Sequence, residues 1–186
     1  MADYATVDNI KEYLVIDDNK SDSVLTRLIT AVSASIDAYL SRVIASAAYT
    51  ETFTGPQDSC IGSTVWFFPE FPVTSVTSVT IEGTAIAQSV GTGAGWNLVD
   101  GTLQLIGYRF SSVPGANVVV YVAGFSPTPP AIEHVCMELV AMRYRERTRL
   151  GITSESDGRG MNRSYSFDMP PWCEKILNQY VNTVPA

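Results

Sequence analysis

Five arginines fall within nineteen positions in MRYRERTRLGITSESDGRG, residues 142–160, and run into a stretch of Ser, Glu, Asp and Gly. Guanidinium groups at this density can grip phosphate, fix a helix end through ion pairs, or bind another protein chain. A helical wheel weighs these against each other. With about 100° per residue and Ile132 at zero, the apolar stripe Ile132, Val135, Cys136, Leu139 and Val140 centres near zero; Arg143 and Arg147 fall at about 20° and 60°, and Arg145 and Arg149 at about 220° and 260°. A helix laid along a phosphate backbone gathers its cations at i, i+3, i+4 and i+7, so this split weakens a nucleic-acid reading. Arg143 and Arg147 are expected to continue the core stripe and to need a carboxylate or carbonyl partner there, because an unpaired buried charge costs several kcal/mol. Arg145 and Arg149 point away and complement the helix dipole, by about 0.3–1 kcal/mol each. The plain reading is a helix end fixed by ion pairs; the sharper one is contact with another subunit or partner, for which Arg is the best-suited cation.

Other stretches carry less chemistry. His134 is the chain's single histidine, and no GxSxG elbow or CGxC signature accompanies it, so it reads as a surface or interface residue. VGTGAGW, residues 90–96, has Trp where a phosphate-cradling GxGxxG needs its last Gly, and it opens no helix. DDNKSD, residues 17–22, lacks the Gly at position six and the Glu at position twelve of a calcium loop. No carboxylate pair is marked as coupled. Cys60, Cys136 and Cys173 are too far apart for a metal knuckle or a disulfide framework and read as small buried hydrophobes. No catalytic residue, metal ligand or cofactor is expected, and no enzymatic activity.

Composition sets the class. The 186 residues are 46% apolar and 17% charged, which describes a folded domain. A net charge of −7 argues against the whole molecule clinging to DNA or to anionic lipid, so any basic function is local. No apolar run reaches the ~18 residues of a membrane span, and MADYATVDNIKEY has no signal-peptide character, so a cytoplasmic origin is expected. The sequons at Asn19 and Asn162 are then chance matches.

The elements that must position these residues follow from periodicity. Thr6 caps a short helix through Leu14, and Ser21 and Asp22 open a longer one whose apolar positions from Val24 to Val43 keep helical spacing. Residues 49–126 change period. YTETFT, VWFF, PVTSVTSVTIEG, TLQLI and NVVVYVAGF are short, rich in β-branched and aromatic residues, and separated by Gly, Pro and Asp, which predicts a small antiparallel sheet or sandwich. Val73, Val79 and Ile81 share a parity that Val76 does not, which predicts a bulge between 73 and 79. NVVVYVAGF, apolar on both parities, fits a strand covered on both faces. Pro130 opens a third helix, Gly151 stops it, residues 151–168 show no periodicity, and MPPWCEKILNQYV starts a last helix. The expected fold is α+β: a helical-bundle core of about four helices, from residues 1–48 and 127–186, with a β insertion over 49–126.

Two aromatic groups point toward contact with other chains. Trp66, Phe67, Phe68 and Phe71 crowd six positions, and Tyr165 and Trp172 flank a proline pair; aromatic anchors beside Arg are the anatomy of contact patches, although at least half of these rings are expected in the core. The candidate interface residues are therefore Arg143, Arg145, Arg147, Arg149, Glu155, Tyr165, Trp172, Trp66 and Phe68.

ATVDNIKEYL, LITAVSASIDAYLSR, YTETFTG, FPVTSVTSVTIEG and CMELVAMRYRERTRLGITSESDGRGMNRSYSFDMPPW, in this order, resemble the head–tail connector (adaptor, or head-completion) proteins of long-tailed bacteriophages over nearly the whole chain. The resemblance implies a structural virion protein that forms a ring, commonly of twelve copies, beneath the portal protein at the head–tail junction. Such a ring extends the DNA channel and meets a stopper or tail-completion protein. DNA would pass the lumen without sequence-specific binding, past an acidic wall, and no membrane is involved. Residues 152–168 are expected to be mobile in the free subunit and to order on docking. The rival expectation is a β-rich virion or surface module that binds carbohydrate or protein through a concave aromatic groove.

Overall fold

Thr6 caps the first helix as its position predicts: its Oγ1 accepts the Asn9 N–H at 3.2 Å, and α1 runs Val7–Leu14. The computed structural model describes residues 2–55, 64–147 and 169–181, together with the backbone of 154–156 and 162–164. The chain forms two units, one of Met1–Arg42 with Thr128–Asn182 and one of Val43–Pro127.

In the helical unit, α2 (Asp22–Leu40) buries Leu25, Ile29, Val32, Ile36 and Leu40 at the predicted spacing. Ser21 holds the N-cap position without using its hydroxyl as a cap; that hydroxyl meets the Tyr144 hydroxyl at 2.6 Å instead. The start of α2 is tied to α1 by Lys11, whose Nζ lies 3.1 Å from Asp22 Oδ1 and donates to Asn19 Oδ1 at 2.6 Å. α3 (Pro130–Glu146) begins with proline at a first-turn position where the missing N–H is no loss. It packs against α2, α1 and α4 (Pro171–Leu177). The N-terminal segment is held by polar contacts: the Tyr4 N–H donates to Ser33 Oγ at 3.0 Å, and the Tyr4 hydroxyl donates to the buried Asp37.

Cys136 and Cys173 are fully buried in this unit, as their reading as small hydrophobes anticipates, while Cys60 lies outside the described residues. Burial pushes both thiols up to about 11 from an ordinary 9.0. The folded-state pKa values are raised, so the stability tied to the protonated thiols is complete below pH ~9 and is lost as pH rises through ~11. In a Cys60→Ser variant, Cys136 and Cys173 are expected to resist alkylation at pH 8 until denaturant is added; stoichiometric labelling of the folded protein would contradict this burial.

The β unit is a pair of antiparallel sheets. The first has the order β1-β7-β3-β4, built from β1 (Ala47–Phe53), β7 (Asn117–Ala123), β3 (Val73–Ile81) and β4 (Thr84–Ile86). The second has the order β2-β6-β5, built from β2 (Val65–Phe67), β6 (Thr102–Ile106) and β5 (Gly95–Val99). The predicted irregularity in β3 is there: its register against β7 shifts between Val73 and Ser75 and again between Val76 and Ser78. β7 is the central strand, with Asn117, Val119, Tyr121 and Ala123 buried and the alternate valines half-buried, which explains its apolar character on both parities. It ends at Gly124, φ +105°, where a Cβ would stand 2.6 Å from the Ala45 carbonyl oxygen, so only glycine fits.

The chain is thus mixed α+β, with four helices, the two sheets above and a two-stranded ribbon among the described residues. The β content is substantial, and this unit carries an aromatic core of its own, so the expected picture of one helical-bundle core with an insertion understates it. The ribbon pairs β8 (Ser154–Ser156) with β9 (Asn162–Ser164) inside the stretch expected to be an aperiodic loop. Three-residue strands of Ser, Glu, Asn and Arg are too short and too polar to show alternation in sequence. The expected mobility of 152–168 otherwise falls outside the described residues.

Candidate functional site

α1, α3 and α4 bring three exposed rings together on the helical unit. Tyr13 on α1 meets His134 on α3 edge-on, at 6.4 Å between ring centroids, and His134 meets Trp172 on α4 at 5.4 Å. Tyr13 and Trp172 remain 40% and 37% exposed, which leaves large aromatic area facing solvent. Carboxylates of α3 hold the row in place: Asn9 Nδ2 donates to Glu133 Oε1 at 2.6 Å, and the Tyr13 hydroxyl donates to Glu138. That hydrogen bond, with partial burial and the Glu138 charge, raises the Tyr13 phenol above its ordinary 10.0, against the opposing charge of Arg145.

His134 makes no hydrogen bond among the described residues, and its recorded neighbours are rings, so the arrangement offers no base poised on a nucleophile. Among the described residues no group of three or more His, Cys, Asp or Glu is placed to hold a metal ion.

The arginines sit differently from the wheel's expectation. Arg143, Arg145 and Arg147 are all exposed. The buried stripe of α3 ends at Ala141, because the start of α2 reaches only Tyr144, where Ser21 bonds its hydroxyl. Arg143, exposed as a residue, lines a small cleft with Val32, Ile36, Leu139 and Met142. Arg147 finds the carbonyl partner it was expected to need, but at the surface and within its own helix: Nη1 donates to the Tyr144 carbonyl at 2.6 Å, and the guanidinium stacks 3.6 Å from the Tyr144 ring centre. Arg145 lines an open cleft of about 220 Å³ with Tyr13, Glu138, Met142 and Glu146. The structure therefore brings Arg145 and the Tyr13–His134–Trp172 row onto neighbouring parts of one helical surface. Arg149, Tyr165 and the side chain of Glu155 lie outside the described residues.

In the β unit the expected contact rings are corrected. Phe68 is 5% exposed, packed at 4.7 Å from Tyr121 and 4.8 Å from Trp66, so it is a core residue of its own subunit. Trp66 is half-buried and stacks flat on Phe53 at 4.5 Å. The rings that do face solvent are Phe67, 71% exposed, and to a lesser extent Phe71. Strand alternation contained this signal, since positions 66 and 68 share a face that 67 does not. Tyr13 was missed for a different reason: one helical turn from the buried Ile10, it looks like a core position.

The family model described as "Head completion protein" matches residues 3–183. Among solved structures, a chain of the neck of an empty gene transfer agent (GTA) particle, computed with C6 symmetry, superimposes with a TM-score of 0.63 at 18% identity, covering 97% of this chain and 90% of that one. A chain of the virion of a native gene transfer agent particle gives 0.61 at 18% identity over the same shares. No curated protein matches by sequence.

Proposed function

Because the chain belongs to the head completion protein family, we propose that it completes a phage-like head by assembling as a ring beneath the portal protein. The ring, of twelve copies, extends the DNA channel and presents its far side to a stopper or tail-completion protein. The observation that carries this reading is the extent of the family match, residues 3–183, which takes in both units. The C6 symmetry of the neck whose chain has a similar fold is compatible with six or twelve copies. With a net charge of −7 per copy, an acidic lumen repels DNA and lets it slide. No described helix is long and apolar enough to cross a membrane.

The surface that meets the portal or a neighbouring copy is the row Tyr13, His134 and Trp172 with Arg145 beside it. Exposed aromatic rings next to arginines supply anchor area and bidentate pairing together. Negative-stain images of the chain mixed with portal assemblies test the reading. A collar below the portal is expected, diminished by Trp172→Ala; bare portals at saturating protein would overturn it.

Val15 adds a prediction. It caps α1 in the left-handed region, φ 57°, while 84% exposed, a conformation that costs a β-branched residue about 1–2 kcal/mol. Val15→Gly relieves that strain and is expected to raise stability of the free protein by about 0.5–1 kcal/mol. If the exposed Val15 belongs to the docking face, the same variant binds the portal less tightly. Chemical denaturation and collar counts measure the two effects separately.

A further inference from the structure

Tyr13 belongs to two open clefts on the helical unit. The first, of about 220 Å³, carries Glu138, Arg145 and Glu146, and the second, of about 410 Å³, carries Glu12. Three carboxylates against one guanidinium leave this described lining net negative. Met142 lines the first cleft and Met137 the second, so apolar surface lies beside the charges.

The other side of α3 has the opposite sign. Arg143 and Arg147 are exposed and about one helical turn apart. Among the described residues neither has a carboxylate partner: Arg147 donates to the Tyr144 carbonyl of its own helix, and Arg143 lines the small cleft beside α2. At about 100° per residue, the pair stands roughly 150° around α3 from the centre of the positions that line the 220 Å³ cleft. An acidic patch cannot pair with the same patch of another copy, but it can receive the basic side of the next. Contacts of this head-to-tail kind close into rings. We infer that Arg143 and Arg147 of each copy seat in the acidic Tyr13 cleft of its neighbour, so that α3 links successive subunits. This inference rests on the ring assembly proposed above and names the contact between its copies.

The cleft suits arginine in particular. Met142 offers apolar surface to the aliphatic stem, the 40% exposed ring of Tyr13 offers a face to the guanidinium, and Glu138 and Glu146 offer carboxylates for bidentate pairing. Sign selects the occupant: the carboxylates turn away DNA phosphate, whereas exposed guanidiniums without a carboxylate are present on the chain itself. Solvent-exposed ion pairs are individually weak, so the contact fits copies that join when a template gathers them and ring closure adds the junctions together.

Charge reversal on each side, followed by mixing, tests the contact. One variant carries Glu12→Arg and Glu146→Arg, which makes the cleft basic while Glu138 keeps the Tyr13 hydroxyl; the other carries Arg143→Glu and Arg147→Glu. Each full-length variant is imaged with portal assemblies, alone and as an equimolar mixture. Alone, each is expected to give about tenfold fewer collars than the unsubstituted protein, because like charges meet at every junction. In the mixture, the basic cleft of the first variant receives the acidic α3 side of the second, and the acidic cleft of the second receives the arginines of the first. Collars are then expected to return with the two variants alternating, which needs an even number of copies, as the proposed twelve is. Undiminished collars from either variant alone, or loss without recovery on mixing, overturn the pairing and leave the ring reading standing. Absence of a collar with the unsubstituted protein overturns the ring reading and the pairing together.

Discussion

Tyr121→Ala is expected to destabilise the β unit by about 3–5 kcal/mol, the range for removing a large buried ring. Tyr121 is fully buried on the central strand β7, stacked at 5.6 Å on Tyr49 and packed at 4.7 Å against Phe68 and 6.2 Å from Trp66. Removing it leaves three rings without their common neighbour, and only the Phe53–Trp66 stack among these aromatic contacts still joins the two sheets. Tyr121→Phe keeps that contact and is expected to cost only about 1 kcal/mol. Phe67→Ala, on a ring that is 71% exposed, is expected to stay within ~0.5 kcal/mol. Urea unfolding followed by exchange of the β7 amides measures all three. An effect of Phe67→Ala as large as that of Tyr121→Ala would refute the assignment of inner and outer rings. The Tyr121 phenol is raised far above its ordinary 10.0 by burial and then by Glu51, so the folded state needs it protonated. Stability from this group is complete below pH ~10 and is lost above it, which adds to the alkaline loss from the two thiols.

The same residues mark what the sequence made legible. The cap at Thr6, the apolar spacing of α2 and the bulge in β3 are local patterns, each set by residues within a few positions of one another, and each stands in the structure. The errors came where a neighbour far along the chain decides. Ser21 reads as a cap, but its hydroxyl is taken by Tyr144, 123 positions away. Arg143 and Arg147 lie on the wheel's core side, yet the stripe stops where α2 begins, and a wheel has no information on the length of the partner helix. The row of Tyr13, His134 and Trp172 joins three helices and has no signature along the chain. Phe68 differs in kind, since alternation alone separates it from the exposed Phe67.

The second large effect is expected at a polar residue. Asn117 is fully buried where β7 begins, and its amide makes three hydrogen bonds: Oδ1 accepts the Ser111 N–H at 2.8 Å, and Nδ2 donates to the Ser111 carbonyl at 2.8 Å and the Phe53 carbonyl at 3.1 Å. These bonds fasten the segment before β7 and the end of β1 to the central strand. Asn117→Ala removes all three bonds; the Ser111 carbonyl keeps the Gly55 N–H at 2.8 Å, while the Ser111 N–H loses its partner, so a loss of about 2 kcal/mol is expected. Asn117→Asp tests the donor separately: the carboxylate still accepts from Ser111 but presents a charge to two carbonyl oxygens, and it is expected to be at least as damaging near neutral pH. Lowering the pH toward 4 protonates that carboxyl and restores a donor, so Asn117→Asp is expected to regain stability on acidification while Asn117→Ala does not.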